Sequence, residues 1–164
     1  YVIMLPRRGT YVANISIRDI NEVFEIRTTL DALASGLAAE RITEEELEQL
    51  ERLLVSIGEN IETRNMKKVV EDDMEFHDIL YKASRNQRLV GIISNLREQM
   101  TRFRSMSMSY PGRLKKTLEE HSRLVEAIAQ RDVELAQKLA VEHMENSEQT
   151  LLIDMEAIHQ ARKE

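Results

Sequence analysis

The stretch Leu114–Leu151, LKKTLEEHSRLVEAIAQRDVELAQKLAVEHMENSEQTL, decides how this chain folds. Before Arg131 the apolar residues Leu114, Leu118, Val125 and Ile128 fall on one face of a helix. After Asp132 the residues Ala136, Leu139, Ala140 and Leu151 do the same. Asp132 is a good N-cap, and a connector this short makes its two helices antiparallel neighbours. His121 interrupts the first stripe and His143 the second. Each lies 11 residues from Asp132. At about 1.5 Å per residue both stand roughly 16 Å from the turn, level with each other.

The same helical period extends outward from this hairpin. Six helices are expected, over 18–41, 43–64, 66–84, 86–108, 111–130 and 133–160. Thr43 followed by Glu44, Glu45 and Glu46 has the form of a capping box, Asn86 is a second N-cap, and Pro111-Gly112 breaks the C-terminal run. Gly and Pro number only 5 and 2, which agrees with an all-α chain of short connectors. The expected fold is an antiparallel bundle of about six helices. Ahead of it, residues 1–17 (YVIMLPRRGTYVANISI) hold two β-prone runs, Val2-Ile3 and Tyr11-Val12, around a Pro6–Thr10 turn. These form a hairpin or its remnant.

Composition narrows the chemistry. The chain has 164 residues, enough for one domain with a substantial core. With no cysteine, thiolate catalysis, disulfides and Cys-based zinc sites are excluded, and any metal must use His and carboxylates. The net charge of −6 argues against this segment gripping nucleic acid by itself. No apolar run reaches the roughly 18 to 20 residues of a membrane span, and the N-terminus lacks signal-peptide zones. A cytoplasmic protein is expected, although a first residue of Tyr leaves room for a fragment or a removed targeting segment.

Polar residues inside apolar stripes carry the functional signal. In the third helix Val69, Val70, Phe76, Leu80 and Tyr81 form the stripe, and Asp73 and His77 lie in it one turn apart. With His121 and His143 this gives three inward histidines and one carboxylate. A buried carboxylate needs a partner and a buried imidazole needs two, so one divalent cation would satisfy all four. The alternative is that each histidine is a core residue satisfied by ordinary hydrogen bonds, and spacing leaves both open. His159 with Glu156 forms a single Glu-x-x-His, short of the two pairs and extra glutamates of a di-iron bundle.

Arg27 sits in the middle of the first helix's stripe of Ile20, Val23, Phe24, Leu30, Ala34 and Leu37. Either it forms a buried salt bridge, with Asp31 or Glu75, or it clamps a carboxylate ligand. Asn95 lies nine residues past the turn near Asn86, as His77 lies nine before it, and is a weaker ligand-binding candidate. Met100, Phe103, Met106 and Met108 are expected to be core or dimer-contact residues. The glutamate-rich face from Glu44 to Glu51 is expected to be solvated.

Taken together these motifs resemble the C-terminal ligand-binding domain of the GntR superfamily of transcription regulators, specifically its FadR-type branch with the FCD domain. Pro6-Arg7-Arg8-Gly9-Thr10-Tyr11-Val12 resembles the end of that family's winged-helix wing. Glu25-Ile26-Arg27 with Leu30-Asp31 resembles E-x-R-x-x-L-E, with Asp31 in place of the usual glutamate. Asp73-Met74-Glu75-Phe76-His77 resembles D-x-x-F-H, and Glu120-His121, Ala127-Ile128, Asp132, Ala136 and His143 resemble the run that follows. The resemblance implies that residues 1–17 are the remnant of a DNA-binding domain and its linker, and that 18–164 are the effector-binding and dimerisation domain. It further implies that Asp73, His77, His121 and His143 are metal ligands whose open positions face a pocket for a small organic acid. A homodimer is implied, with DNA bound only through a winged-helix domain upstream of Tyr1 and no membrane partner.

Three His and one Asp suit zinc first, with nickel, iron, cobalt or manganese as alternatives. The rival function is a metal-dependent enzyme on a helical bundle, since such a site could activate water. Against it stands the lack of an evident general acid, base or nucleophile beside the four ligands. A third reading is a metal-free structural bundle.

Overall fold

The computed structural model describes residues 2–5, 9–12, 17–97 and 112–161, with side chains from 18–97 and 112–153. Strands β1 (Val2–Leu5) and β2 (Gly9–Val12) pair antiparallel, Val2 opposite Val12 and Leu5 opposite Gly9. The helices are α1 (Ile17–Arg41), α2 (Glu44–Glu62), α3 (Met66–Ala83), α4 (87–97 among the described residues), α5 (Arg113–Ala129) and α6 (Val133–Ala161). This is the expected all-α, six-helix antiparallel bundle, each described boundary within two residues of expectation. Met100, Phe103, Met106 and Met108 lie outside the described residues, as do the side chains of Glu156 and His159. Among the described residues no helix is long and apolar enough to cross a membrane.

Local chemistry fixes the helix ends. The capping box at Thr43 forms in both directions: Glu46 N donates to Thr43 Oγ1 at 3.3 Å and Thr43 N donates to the Glu46 carboxylate at 3.1 Å. Three connectors share one grammar, Thr63-Arg64-Asn65, Ser84-Arg85-Asn86 and Gln130-Arg131-Asp132. In each the arginine is left-handed, with φ of 57°, 54° and 59°. The following Asn or Asp accepts from the backbone N–H of Lys68 (3.4 Å), Leu89 (3.1 Å) or Leu135 (3.0 Å). At Asn65 and Asp132 the backbone also closes the preceding helix, with bonds of 2.9 Å to Asn60 O and 3.0 Å to Ala127 O.

The core is a set of clusters stacked along the bundle. The central one joins Ala38 and Ala39 of α1, Leu50 of α2, Phe76 and Leu80 of α3, Leu124, Val125 and Ile128 of α5, and Ala136 and Leu139 of α6. Beyond it, Ile20 and Phe24 meet Met144 and Leu151, and Ile57 and Val69 meet Leu114 and Leu118. The α1–α6 pairing is the most extensive in the bundle. It is close at Gly36, where an added Cβ would lie 2.6 to 3.0 Å from three atoms of the Gln137 side chain. Between these apolar clusters, α3, α5 and α6 turn polar residues toward one another, and the site lies there.

Candidate metal centre

Helix α3 delivers Asp73 and His77 from adjacent turns, both almost fully buried. Helix α5 delivers His121, stacked on Phe76 with ring centroids 4.3 Å apart, and α6 delivers His143. The His121 and His143 rings are 4.7 Å apart, so the two histidines equidistant from Asp132 do meet across the hairpin. His77 stands 5.0 Å from His121 and 5.8 Å from His143 by ring centroid. One ring nitrogen from each of the three lies within 4.8 Å of the others. Asp73 Oδ1 is 3.9 Å from His77 Nε2 and 3.7 Å from His121 Nδ1. Three imidazoles and one carboxylate converging from three helices are a donor set that fits a divalent transition metal.

The groups behind the histidines were not legible as a set. His143 Nδ1–H donates to Glu120 Oε2 at 2.7 Å, which turns Nε2 away from that carboxylate. Glu120 is buried and accepts three more bonds, from Arg113 Nη1 and Nη2 (2.8 and 2.9 Å) and Asn146 Nδ2 (2.9 Å). Burial pushes the Glu120 carboxyl up, but the bonds from His143 and Arg113 outweigh it and hold it at about 2. Arg113 also donates to Ser147 Oγ at 2.7 Å. The available signal was spacing: Arg113, Thr117 and Glu120 share the buried face of α5 with His121, so its first half is a polar stripe.

Behind His77 stands Tyr81, whose Oη is 3.4 Å from His77 Nδ1. The tyrosine hydroxyl donates to Asp31 Oδ1 and accepts from Arg27 Nη2 at 3.1 Å. Arg27 Nη2 is also 3.1 Å from Asp31 Oδ2, so of the two salt-bridge partners named for Arg27 the structure supplies Asp31, while Glu75 is exposed. Burial works against the Arg27 charge, but Asp31 and Tyr81 outweigh it and raise its pKa. Its Nε–H has no hydrogen-bond partner among the described residues. Asn95 is exposed: α4 turns Leu89 and Ile93 inward, and Asn95 lies two positions past Ile93, on the opposite side of the helix.

A family model described as the FCD domain matches residues 22–146. The chain belongs to the FCD domain family. The HTH-type transcriptional repressor RspR of Escherichia coli (strain K12) is 28% identical to this FCD domain over 140 residues, 85% of this chain and 61% of that protein. The HTH-type transcriptional regulator LutR of Bacillus subtilis (strain 168) is 29% identical over 138 residues, 81% and 62% of the two chains. The chain thus spans about three fifths of the length of these curated relatives. Among solved structures, Escherichia coli McbR/YncC superposes with a TM-score of 0.80 at 23% identity, covering 95% of this chain and 77% of that one. A metal-free FCD domain of TM0439 superposes with a TM-score of 0.73 at 18% identity, covering 88% and 99%. The curated relatives named here are called transcription regulators, and the solved structures share the fold of this FCD domain.

Proposed function

We propose that this FCD domain senses a small carboxylate through one divalent metal held by Asp73, His77, His121 and His143, in a dimeric regulator of the FadR type. The observation that carries this reading is the convergence of three imidazoles within 4.8 Å, with the Asp73 carboxylate beside two of them. A bound metal supplies a Lewis-acidic centre whose remaining positions accept a hard oxygen donor such as a carboxylate. Zinc fits the donor set first, then nickel, iron, cobalt or manganese.

The residues around the site do the rest. Glu120 orients His143, and the Phe76 ring fixes His121 by stacking. Arg27, with its Nε–H uncommitted, is the second anchor for the acid. Acid binding then acts on α1, α3, α5 and α6 together, and it shifts the domain only by as much as it favours one arrangement over the other.

Residues 1–17 are the end of a DNA-binding domain with its linker, and 18–164 the effector-binding and dimerisation domain. In support, the relatives named HTH-type are longer than the matched span, and the charge of −6 leaves this span poorly suited to phosphate contacts. The test is metal analysis of untagged protein followed by calorimetric titration with citrate, lactate, malonate and sugar acids before and after metal removal. One metal per chain and metal-dependent binding of an acid are expected. Equal binding by metal-stripped protein would overturn the carboxylate-on-metal reading. Light scattering that gave a monomer at micromolar concentration would overturn the dimer.

A further inference from the structure

Arg27, Asp31 and Tyr81 are more than a buried ion pair with a tyrosine beside it, because their donor and acceptor capacities decide where the proton on His77 lies. Asp31, paired with Arg27 at 3.1 Å, receives the hydroxyl proton of Tyr81. Arg27 has only donors and points one at the tyrosine oxygen at 3.1 Å. A tyrosine has a single hydroxyl proton, so with that proton on Asp31 it can only accept from its third neighbour, His77 Nδ1 at 3.4 Å. Nδ1 must therefore be the protonated nitrogen. In the neutral ring the lone pair of His77 is then left on Nε2, the atom 3.9 Å from Asp73 Oδ1 inside the cluster.

We propose that Arg27, Asp31 and Tyr81 form a positioning relay from α1 through α3 that fixes His77 as the Nδ1–H tautomer, with the Nε2 lone pair presented to the metal. The inference rests on reading His77 as a metal ligand. It assigns the inward tyrosine a polar role that its place in an apolar stripe concealed, since its ring packs with Ala34, Leu89 and Ile93 while its hydroxyl works on the other side. It also gives Arg27 a double duty. The guanidinium that would anchor an acid is the one that holds the far end of the relay, so acid binding and the presentation of His77 share a residue. The arrangement parallels the one behind His143, where Glu120 accepts directly from Nδ1. The two ligands are thus oriented from opposite sides of the bundle, one through α1 and one within the α5–α6 hairpin.

The test combines cobalt(II) titration against a competing chelator with long-range 1H–15N spectra of the histidine rings in metal-free protein at about pH 8, above the ordinary imidazole value. The native protein should bind one cobalt, His77→Ala should lose that binding, and His77 should be the Nδ1–H tautomer before metal is added. Tyr81→Phe keeps the ring and removes the hydroxyl. It should move His77 toward the Nε2–H form that neutral histidine prefers in water, and weaken cobalt binding by about tenfold, the lower end for loss of a group orienting a ligand. The tautomer is the deciding readout. Nε2–H in the native protein, or an unchanged tautomer in Tyr81→Phe, would overturn the relay while leaving the metal reading standing. Failure of the native protein to take up cobalt, or equal uptake by His77→Ala, would overturn the metal reading and the relay with it.

Discussion

Replacing Glu120 by Gln tests the polar half of the core most directly, because the substitution preserves shape and removes only a charge. The carboxylate takes four hydrogen bonds, two from Arg113 and one each from His143 and Asn146, all between 2.7 and 2.9 Å. An amide placed with its nitrogen at Oε2 points a donor at donors from Arg113 and His143. With its nitrogen at Oε1 it faces donors from Arg113 and Asn146 instead. In either orientation Arg113, itself only 4% exposed, loses its anionic partner. Removing one partner of a buried ion pair costs about 3 to 5 kcal/mol. At roughly 2 to 4 °C per kcal/mol for a domain of this size, the melting temperature of chelator-treated Glu120→Gln should fall by roughly 6 to 20 °C. The pH dependence gives an independent check. The Glu120 carboxyl is lowered from 4.5 to about 2 in the folded state, so its stabilisation is complete above about 4.5 and is lost as pH falls toward 2. A shift of that size corresponds to about 3 kcal/mol, and the acid-induced loss should be smaller by that amount in Glu120→Gln. A fall below about 2 °C, with parallel acid-stability curves, would refute the assignment of Glu120 as a charged, fully bonded group.

Chelation should lower the melting temperature of metal-loaded native protein, by about 4 kcal/mol of stability where metal was present at 1,000 times its dissociation constant; His77→Ala and His143→Ala should show no such change, and His159→Ala the full one. Arg27→Lys keeps a cation against Asp31 but loses the fork, so calorimetry should show acid binding weakened by on the order of tenfold with one metal per chain retained. Arg64→Gly should raise stability by about 1 kcal/mol in urea titrations, because a left-handed φ of 57° strains a side chain and Arg64 is exposed. Arg85→Gly should gain nothing, since it also removes the paired bonds of 2.7 and 2.8 Å to Glu46.

The helices were legible because their apolar spacing is regular and their connectors are short. Thr43, Asn86 and Asp132 announced three starts, and all three side chains cap as expected. The stops were harder to read, since arginine, with no intrinsic preference for the left-handed region, occupies the place where glycine usually signals a helix end. Convergence of His121 and His143 followed from arithmetic along one helical hairpin and needed only the antiparallel pairing to hold, whereas His77 required in addition that α3 face that hairpin. The same arithmetic did not give the exposure of Asn95, because level along the bundle says nothing about rotation around a helix axis. Glu120 and Tyr81 were missed for a different reason. A residue that orients a ligand is recognised by what it touches, and those contacts join residues 23 and 50 positions apart in His143–Glu120 and Tyr81–Asp31.

The placement of these networks bears on why the domain keeps them. Buried ion pairs such as Arg27–Asp31 and Arg113–Glu120 are weak sources of stability, since desolvation offsets most of their attraction and apolar residues of equal volume often serve as well. Apolar clusters on either side already hold the helices: Ile20 and Phe24 against Met144 and Leu151 at one level, Ala38 and Ala39 against Leu80 and Ile128 at another. What the charged groups supply is direction. Each ends at the Nδ1 of a different histidine, leaving the other nitrogen of each ring for the cluster. Direction matters most where three rings must aim lone pairs at one point within 4.8 Å of each other, because an imidazole in the wrong tautomer presents a proton there. On the metal reading proposed above, selection for a ligand-competent cluster accounts for a costly polar interior that selection for stability alone would not.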